Sequence, residues 1–200
     1  MEKFQGKYRI ESTRLKNWDY GWNAPYFVTI CTQNREYYFG DIIGGEMVLS
    51  EIGEMAQKYW HEIPEHFPFV QLGAFVVMPN HVHGIIIIDK PDDGRNVETQ
   101  NFASLPEKTK QPEPKNQFGP QSKNLASIIR GFKIGVTKHA RQIHADFAWQ
   151  SRFHDHIIRD NKSFERIENY IINNPQNWGD DTFNVKTQDI ASHLNNGGAA

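Results

Sequence analysis

A single cysteine in 200 residues, Cys31, excludes both a disulfide framework and a cysteine-built metal cage. It lies in the apolar run from Tyr26 to Thr32, where a thiol reads as a small buried hydrophobe. Nor does any apolar run approach the roughly 20 residues of a membrane-spanning helix, and the opening "MEKFQGKYRI" lacks the apolar stretch of a secretion signal. These absences predict a cytoplasmic protein without a membrane partner. A global excess of positive charge is also missing, since 22 Lys and Arg face 24 Asp and Glu for a net charge of −2. Any nucleic-acid partner must therefore be met by a local patch. One more absence marks where such a patch lies: residues 114 to 145 hold six Lys or Arg and no Asp or Glu.

What is present has the composition of one globular domain with a substantial core, 38% of it hydrophobic and 12% aromatic. Residues 26 to 33 are β-branched and aromatic and read as a first strand. Phe39 to Leu49, with Gly44 and Gly45 at its centre, reads as a hairpin. Ser50 can cap a helix in which Ile52, Met55, Ala56, Tyr59, Trp60 and Ile63 recur at helical spacing, ending before Pro64. Phe69 to Met78 is a long strand, and Pro79 and Asn80 turn it into another, His81 to Asp89. Residues 89 to 124 hold five of the ten prolines and almost no aliphatic residue, so they read as a loop insertion. Helical order resumes from Leu125 to Ile143, where Gly131 and Gly135 weaken the helix unless something packs close against them. After a short extended segment around His154 to Ile157, Asp160 or Asn161 can cap a last helix that ends near Asn174, before Pro175. The domain is placed at residues 1 to 183, with 184 to 200 as a flexible tail; the chain turns polar after Trp178 and reads as dispensable from there.

Two histidines stand inside the most hydrophobic stretch, "VVMPNHVHGIIII" from Val76 to Ile88. On a strand, residues i and i+2 share a face, so His81 and His83 stand side by side and suit a divalent cation. The spacing alone selects little, because His154 and His156 form a second such pair. On the last helix Phe164, Ile167, Tyr170, Ile171 and Asn174 share a face, and docking its aliphatic members carries Tyr170 and Asn174 toward the sheet. Two imidazoles and an amide oxygen make three ligands around a cation with positions left open, and a tyrosine one turn away can attack a phosphorus atom held there. On the helix from Leu125, Arg130, Lys133, Lys138 and Arg141 fall in an arc apart from the apolar one, a candidate phosphate-tracking surface to which Arg152 is added.

The segments "MPNHVH" with its aliphatic strand, "NLASIIRGFK", "WQSRFHDHIIRD" and "RIENYIINNPQNW", in this order, resemble the REP-associated tyrosine transposases, single-tyrosine members of the HUH single-strand nucleases. The resemblance runs from about Asn17 to Trp178 and singles out His81 and His83 as the matching pair. It implies an α+β fold, an antiparallel sheet with helices packed mainly on one face, ferredoxin-like or RRM-like. It also implies a Mg2+ or Mn2+ ion on His81, His83 and Asn174, and attack by Tyr170 on single-stranded DNA beside a hairpin, giving a 5′-phosphotyrosine link and a free 3′-hydroxyl. Family members are monomers or homodimers.

Two other readings stay open on the residues alone. One is a module that binds hairpin DNA or RNA through the basic helix without cutting; the other is a metal-dependent phosphodiesterase that activates water, with Tyr170 structural. Ligand chemistry by itself also admits zinc at a two-histidine site.

Overall fold

The computed structural model describes residue 15 and residues 18 to 91 and 122 to 184. The Pro-rich stretch therefore lies outside the described residues from 92 to 121, as does the expected tail from 185 onward. The elements follow as β1 (Ala24–Cys31), β2 (Gly40–Ile43), β3 (Glu46–Leu49), α1 (Glu51–His61), α2 (Ile63–His66), β4 (Val70–Met78), β5 (His81–Ile88), α3 (Leu125–Ile143), β6 (His154–Ile157) and α4 (Asn161–Asn173). Strands β4, β5, β1 and β6 form one four-stranded sheet in that order, every pairing antiparallel. The hairpin β2–β3 stands apart, turning through Gly44 and Gly45 at φ 62° and 85°, backbone that glycine adopts without strain.

Local chemistry sets the helix ends where the sequence places them. The Ser50 side chain accepts from the Gly53 amide at the start of α1, and Asp160 does the same from Ser163 at the start of α4. Asn124 and Ser127 form a reciprocal capping box on α3. Pro64 falls in the first turn of α2, so α1 stops ahead of it, a position where the missing N–H removes no helical bond.

The strand period of two gives the sheet two different faces. Tyr26, Val28, Ile30, Val82, Ile86 and Ile88 point to the face covered by α1 and α3 and join Trp60, Phe132 and Val136 in the main core. Phe27, Val76, Ile85 and Ile87 point to the other face, where Phe164, Ile167 and Ile171 of α4 form a smaller core with Ile158. Most helical cover thus lies on one side, and α4 alone docks on the other. Trp60 holds the larger core together: it stacks on Phe75 at 4.4 Å and meets Phe132 edge-on at 5.5 Å. Gly84 makes this possible, since a Cβ there would lie 2.2 Å from Trp60 Cζ2. Gly135 on α3 has the same explanation, a Cβ there lying 2.9 Å from the Tyr59 ring, whereas at Gly131 a Cβ would only touch Phe67 at an ordinary 3.4 Å. Ile134, which breaks the apolar arc of α3, is exposed.

Gly84→Ala forces a methyl group into the Trp60 ring, and the expected loss is about 1–3 kcal/mol of unfolding free energy, read by urea denaturation. An unchanged midpoint would mean that Trp60 does not seat on β5 in this way.

Candidate active site

The first residues of β5 carry the site, on the sheet face that α4 covers. His81 and His83 are buried side by side, their Nε2 atoms 3.0 Å apart. Each ring is held from behind through Nδ1. Asn80, buried in the turn before β5, gives its amide nitrogen to the carbonyls of Arg35 and Phe183, so its oxygen faces His81 and accepts from Nδ1 at 2.8 Å. That makes Nδ1 the protonated nitrogen of His81 and leaves the Nε2 lone pair inward. Thr29, opposite His83 on β1, places its hydroxyl 2.9 Å from His83 Nδ1. Phe27 stacks on the His83 ring and Phe183 lies against His81, with centroids 5.4 and 4.5 Å apart. With the His81 Nε2 lone pair facing His83 Nε2 at this separation, a proton or a cation between the two nitrogens is favoured.

Electrostatics keep the pair neutral. Burial first, then the charge of neighbouring His83 and Arg35, holds His81 well below the ordinary imidazole range. Burial, with a smaller contribution from His154, pushes His83 down to about 3. Neutral imidazoles are the form that ligates a metal.

The α4 side supplies the remaining groups. The Tyr170 hydroxyl lies in hydrogen-bond contact with His83 Nε2 at 3.2 Å while the residue stays 45% exposed. Burial and the Asp181 carboxylate raise its phenol above the ordinary value, and the Asn174 side chain acts in the opposite sense. Asn174, at the C-terminal end of α4, is 2% exposed. Its amide nitrogen donates to Asp181 Oδ2 at 3.3 Å, yet its Oδ1 is buried with no hydrogen-bond partner among the described residues. A buried amide oxygen left without a donor is costly, and a cation would satisfy it.

No sequence motif marks Asp181. Its carboxylate, with the donor nitrogens of His81 and His83, forms a group whose ligand atoms all lie within 4.8 Å of one another. It sits just past a short 3-10 turn, Trp178–Asp180, and its other oxygen is fixed by the Phe183 amide at 2.7 Å. Residues 179 to 184 are therefore bonded into the described structure, where their polarity alone reads as a frayed end. Asn184, placed at the head of the expected tail, is buried and bonded to Tyr37 and Trp178. Thr29 and Asn80 were also unmarked as site residues, although Asn80 was legible as a turn. The donor set of two imidazoles, a carboxylate and an orphaned amide oxygen fits a divalent cation that accepts hard oxygen ligands alongside nitrogen.

The basic residues of α3 lie elsewhere. Arg130, Lys133, Lys138 and Arg141 line a groove between α3 and the segment of Ser151 and Phe153, on the side of the sheet away from α4. Lys133 is committed internally, donating to the carbonyls of Gln150 and Arg152 at 2.7 and 3.1 Å, and burial pulls its ammonium down to about 8. Arg141 likewise donates from Nε to the Phe147 carbonyl at 3.1 Å. Arg130, Lys138 and Arg152 are exposed, and Arg152 stands outside the groove lining. Cys31 is buried and its thiol is raised, chiefly by desolvation, as its apolar run implies. Among the described residues no helix is long and apolar enough to cross a membrane.

No family model matches the chain. A protein of Haemophilus influenzae described as uncharacterised is 40% identical over 183 residues, covering 90% of this chain and 96% of its own. A second Haemophilus influenzae protein, named as a REP-associated tyrosine transposase, is 28% identical over 162 residues, 80% of this chain and 75% of its own. Among solved structures, a REP-associated tyrosine transposase bound to a REP hairpin superposes with a TM-score of 0.54 at 21% identity, over 92% of this chain and 88% of that one. The chain thus belongs to one family with the 40%-identical Haemophilus influenzae protein, and in sequence and fold it resembles the REP-associated tyrosine transposases.

Proposed function

We propose that the protein is a metal-dependent DNA transesterase of the transposase type, cutting and rejoining single strands near hairpins with Tyr170 as nucleophile. The observation that carries this reading is the placement of a half-exposed phenol 3.2 Å from the inner nitrogen of a buried, neutral two-histidine pair. Its likeness to a hairpin-bound REP-associated transposase supports single-stranded or hairpin DNA as the partner.

In this reading His81 and His83 offer Nε2, Asp181 an oxygen and Asn174 its orphaned Oδ1 to Mg2+ or Mn2+. Such an ion supplies charge neutralisation on a phosphoryl oxygen and lowers the cost of the attack. Asn80 and Thr29 fix the imidazole rings so that Nε2 faces inward. Tyr170 is aimed by α4, whose Ile167 and Ile171 are locked in the smaller core. The phenol oxygen bonds to phosphorus as the bond from phosphorus to the 3′-oxygen breaks; the proton lost by the phenol balances the one taken up by the 3′-hydroxyl. The phosphotyrosine ester keeps the energy of the diester, so a 3′-hydroxyl can reverse the step and join strands without a nucleotide cofactor. Arg130 and Lys138, exposed along the α3 groove, are the members of that stripe left to meet the DNA backbone, with Arg152 nearby.

Incubation with labelled hairpin DNAs and Mn2+ should give a DNA-protein adduct that survives denaturation, and Tyr170→Phe should abolish it while binding persists. A Phe variant with full activity would sink the assignment; free cleaved DNA without adduct would favour activated water. Asp181→Asn should raise the metal concentration needed for half-maximal adduct by about 10 to 100-fold, read by Mn2+ titration.

Acid should weaken the fold, by a sign set at His83. Its pKa is about 3 folded against an ordinary 6.5, so the unfolded chain takes up a proton that the folded chain refuses, and stability falls as pH drops below about 6.5. Between pH 7.5 and pH 5 the expected loss from this group is about 2 kcal/mol. Urea midpoints at the two pH values measure it, and His83→Gln should reduce the dependence, the remainder coming from His81, which is shifted in the same direction.

A further inference from the structure

The edge strand β6 carries two histidines that the site described above does not use. Antiparallel pairing sets His154 opposite Thr29 and His156 opposite Phe27. Cross-strand partners share a face, so both imidazoles stand on the α4 side of the sheet, in one row with the residues that hold His83. Thr29 holds the His83 ring and Phe27 meets the Tyr170 ring edge-on at 6.1 Å. Both histidines are exposed.

We propose that this outward face of β6, His154 and His156, together with Arg159 and Arg166, seats the phosphates of the single strand that flank the one reaching Tyr170. The inference rests on the reading of Tyr170 as the DNA-attacking group. Helical geometry places Arg166 within about 40° of Tyr170 around α4, whereas Glu165 and Glu168 fall roughly 140 to 160° away. Asp155, between the two histidines, points to the opposite face, where its charge bears on buried Tyr26. Alternation on β6 and rotation on α4 thus turn Asp155, Glu165 and Glu168 off the surface; Asp160, the exposed cap of α4, is the carboxylate that stays near Arg166, and both its oxygens are bound to Ser163. His156 is lowered mainly by burial and then by neighbouring His154, Arg159 and Arg166, with Asp155 acting in the opposite sense. An imidazole keeps at least one N–H for a phosphate oxygen in either charge state. A guanidinium binds phosphate through two parallel hydrogen bonds. The occupant with matching chemistry is a polyanion laid across the sheet, past Tyr170 and out over the edge strand.

The test separates binding from cutting. Tyr170→Phe protein is titrated with a labelled single-stranded oligodeoxythymidine over a range of salt, while unaltered protein is assayed in parallel for adduct on hairpin DNA. Combining His154→Ala with His156→Ala should weaken binding about tenfold. Arg166→Gln should do so too and reduce the salt slope by about 0.7, the value for one single-strand phosphate contact. A methylphosphonate backbone, which lacks the charge, should erase the differences among the variants. Lys58→Gln, a charge removed from α1 on the far side of the sheet, should change neither quantity. Unchanged affinity and slope in the β6 and α4 variants, with the adduct still forming on unaltered protein, would overturn this surface and leave the tyrosine chemistry standing. Absence of both adduct and binding in the unaltered protein would overturn the tyrosine reading and the surface with it.

Discussion

The site depends on β5 being an interior strand that is covered on both faces by different material. On one face Val82, Ile86 and Ile88 enter the main core, and Gly84 clears the space in which Trp60 lies flat. On the other, the same strand lines up His81, His83, Ile85 and Ile87 under α4. Pairing with both β4 and β1 leaves the backbone of β5 no freedom to slip, and a one-residue slip would exchange imidazoles for aliphatics. The packing of Trp60 and the register of the histidines are therefore a single constraint.

Burial of the pair has a chemical consequence as well as a structural one. Imidazoles removed from water give up protons readily, and so remain neutral through the range in which an exposed histidine would titrate. Asn80 and Thr29 then decide which nitrogens face the centre. The phenol of Tyr170 reaches the same centre from the last turn of α4 while the residue stays nearly half exposed, so a substrate can approach without displacing the core. The orphaned oxygen of Asn174 and the carboxylate of Asp181 complete a cluster that is poorer in hydrogen bonds than its burial would allow unless a cation joins it.

Charge is distributed unevenly around this centre. The basic stripe of α3 faces the side of the sheet away from Tyr170, and half of it is spent on internal carbonyls: Lys133 and Arg141 brace the segment that leads to β6. A helical arc of Lys and Arg describes which residues share a direction, not which of them have been claimed by the backbone nearby. The surface beside Tyr170 is made of residues from β6 and α4, and their proximity comes from sheet pairing rather than from any run in the sequence.

Much of the fold was legible because it rests on local chemistry. Ser50 and Asp160 cap helices within three residues, Gly44 and Gly45 supply the turn of a hairpin, and the period of the apolar residues names the buried side of α1, α3 and α4. The sequence by itself also determined that His81 and His83 share a face, and that Tyr170 and Asn174 travel with Ile167 and Ile171, because both statements follow from repeat geometry within one element. Tertiary structure alone decided that α4 lies on the histidine face and α1 and α3 on the other, since one apolar stripe fits either side of a sheet. It alone brought Asp181 back beside β5, roughly a hundred residues distant in the chain, and set β6 against β1 so that His154 and His156 stand on the same sheet face as His83. No local pattern encodes such contacts, because the free energy that holds them comes from surfaces that exist only after the separate elements have packed.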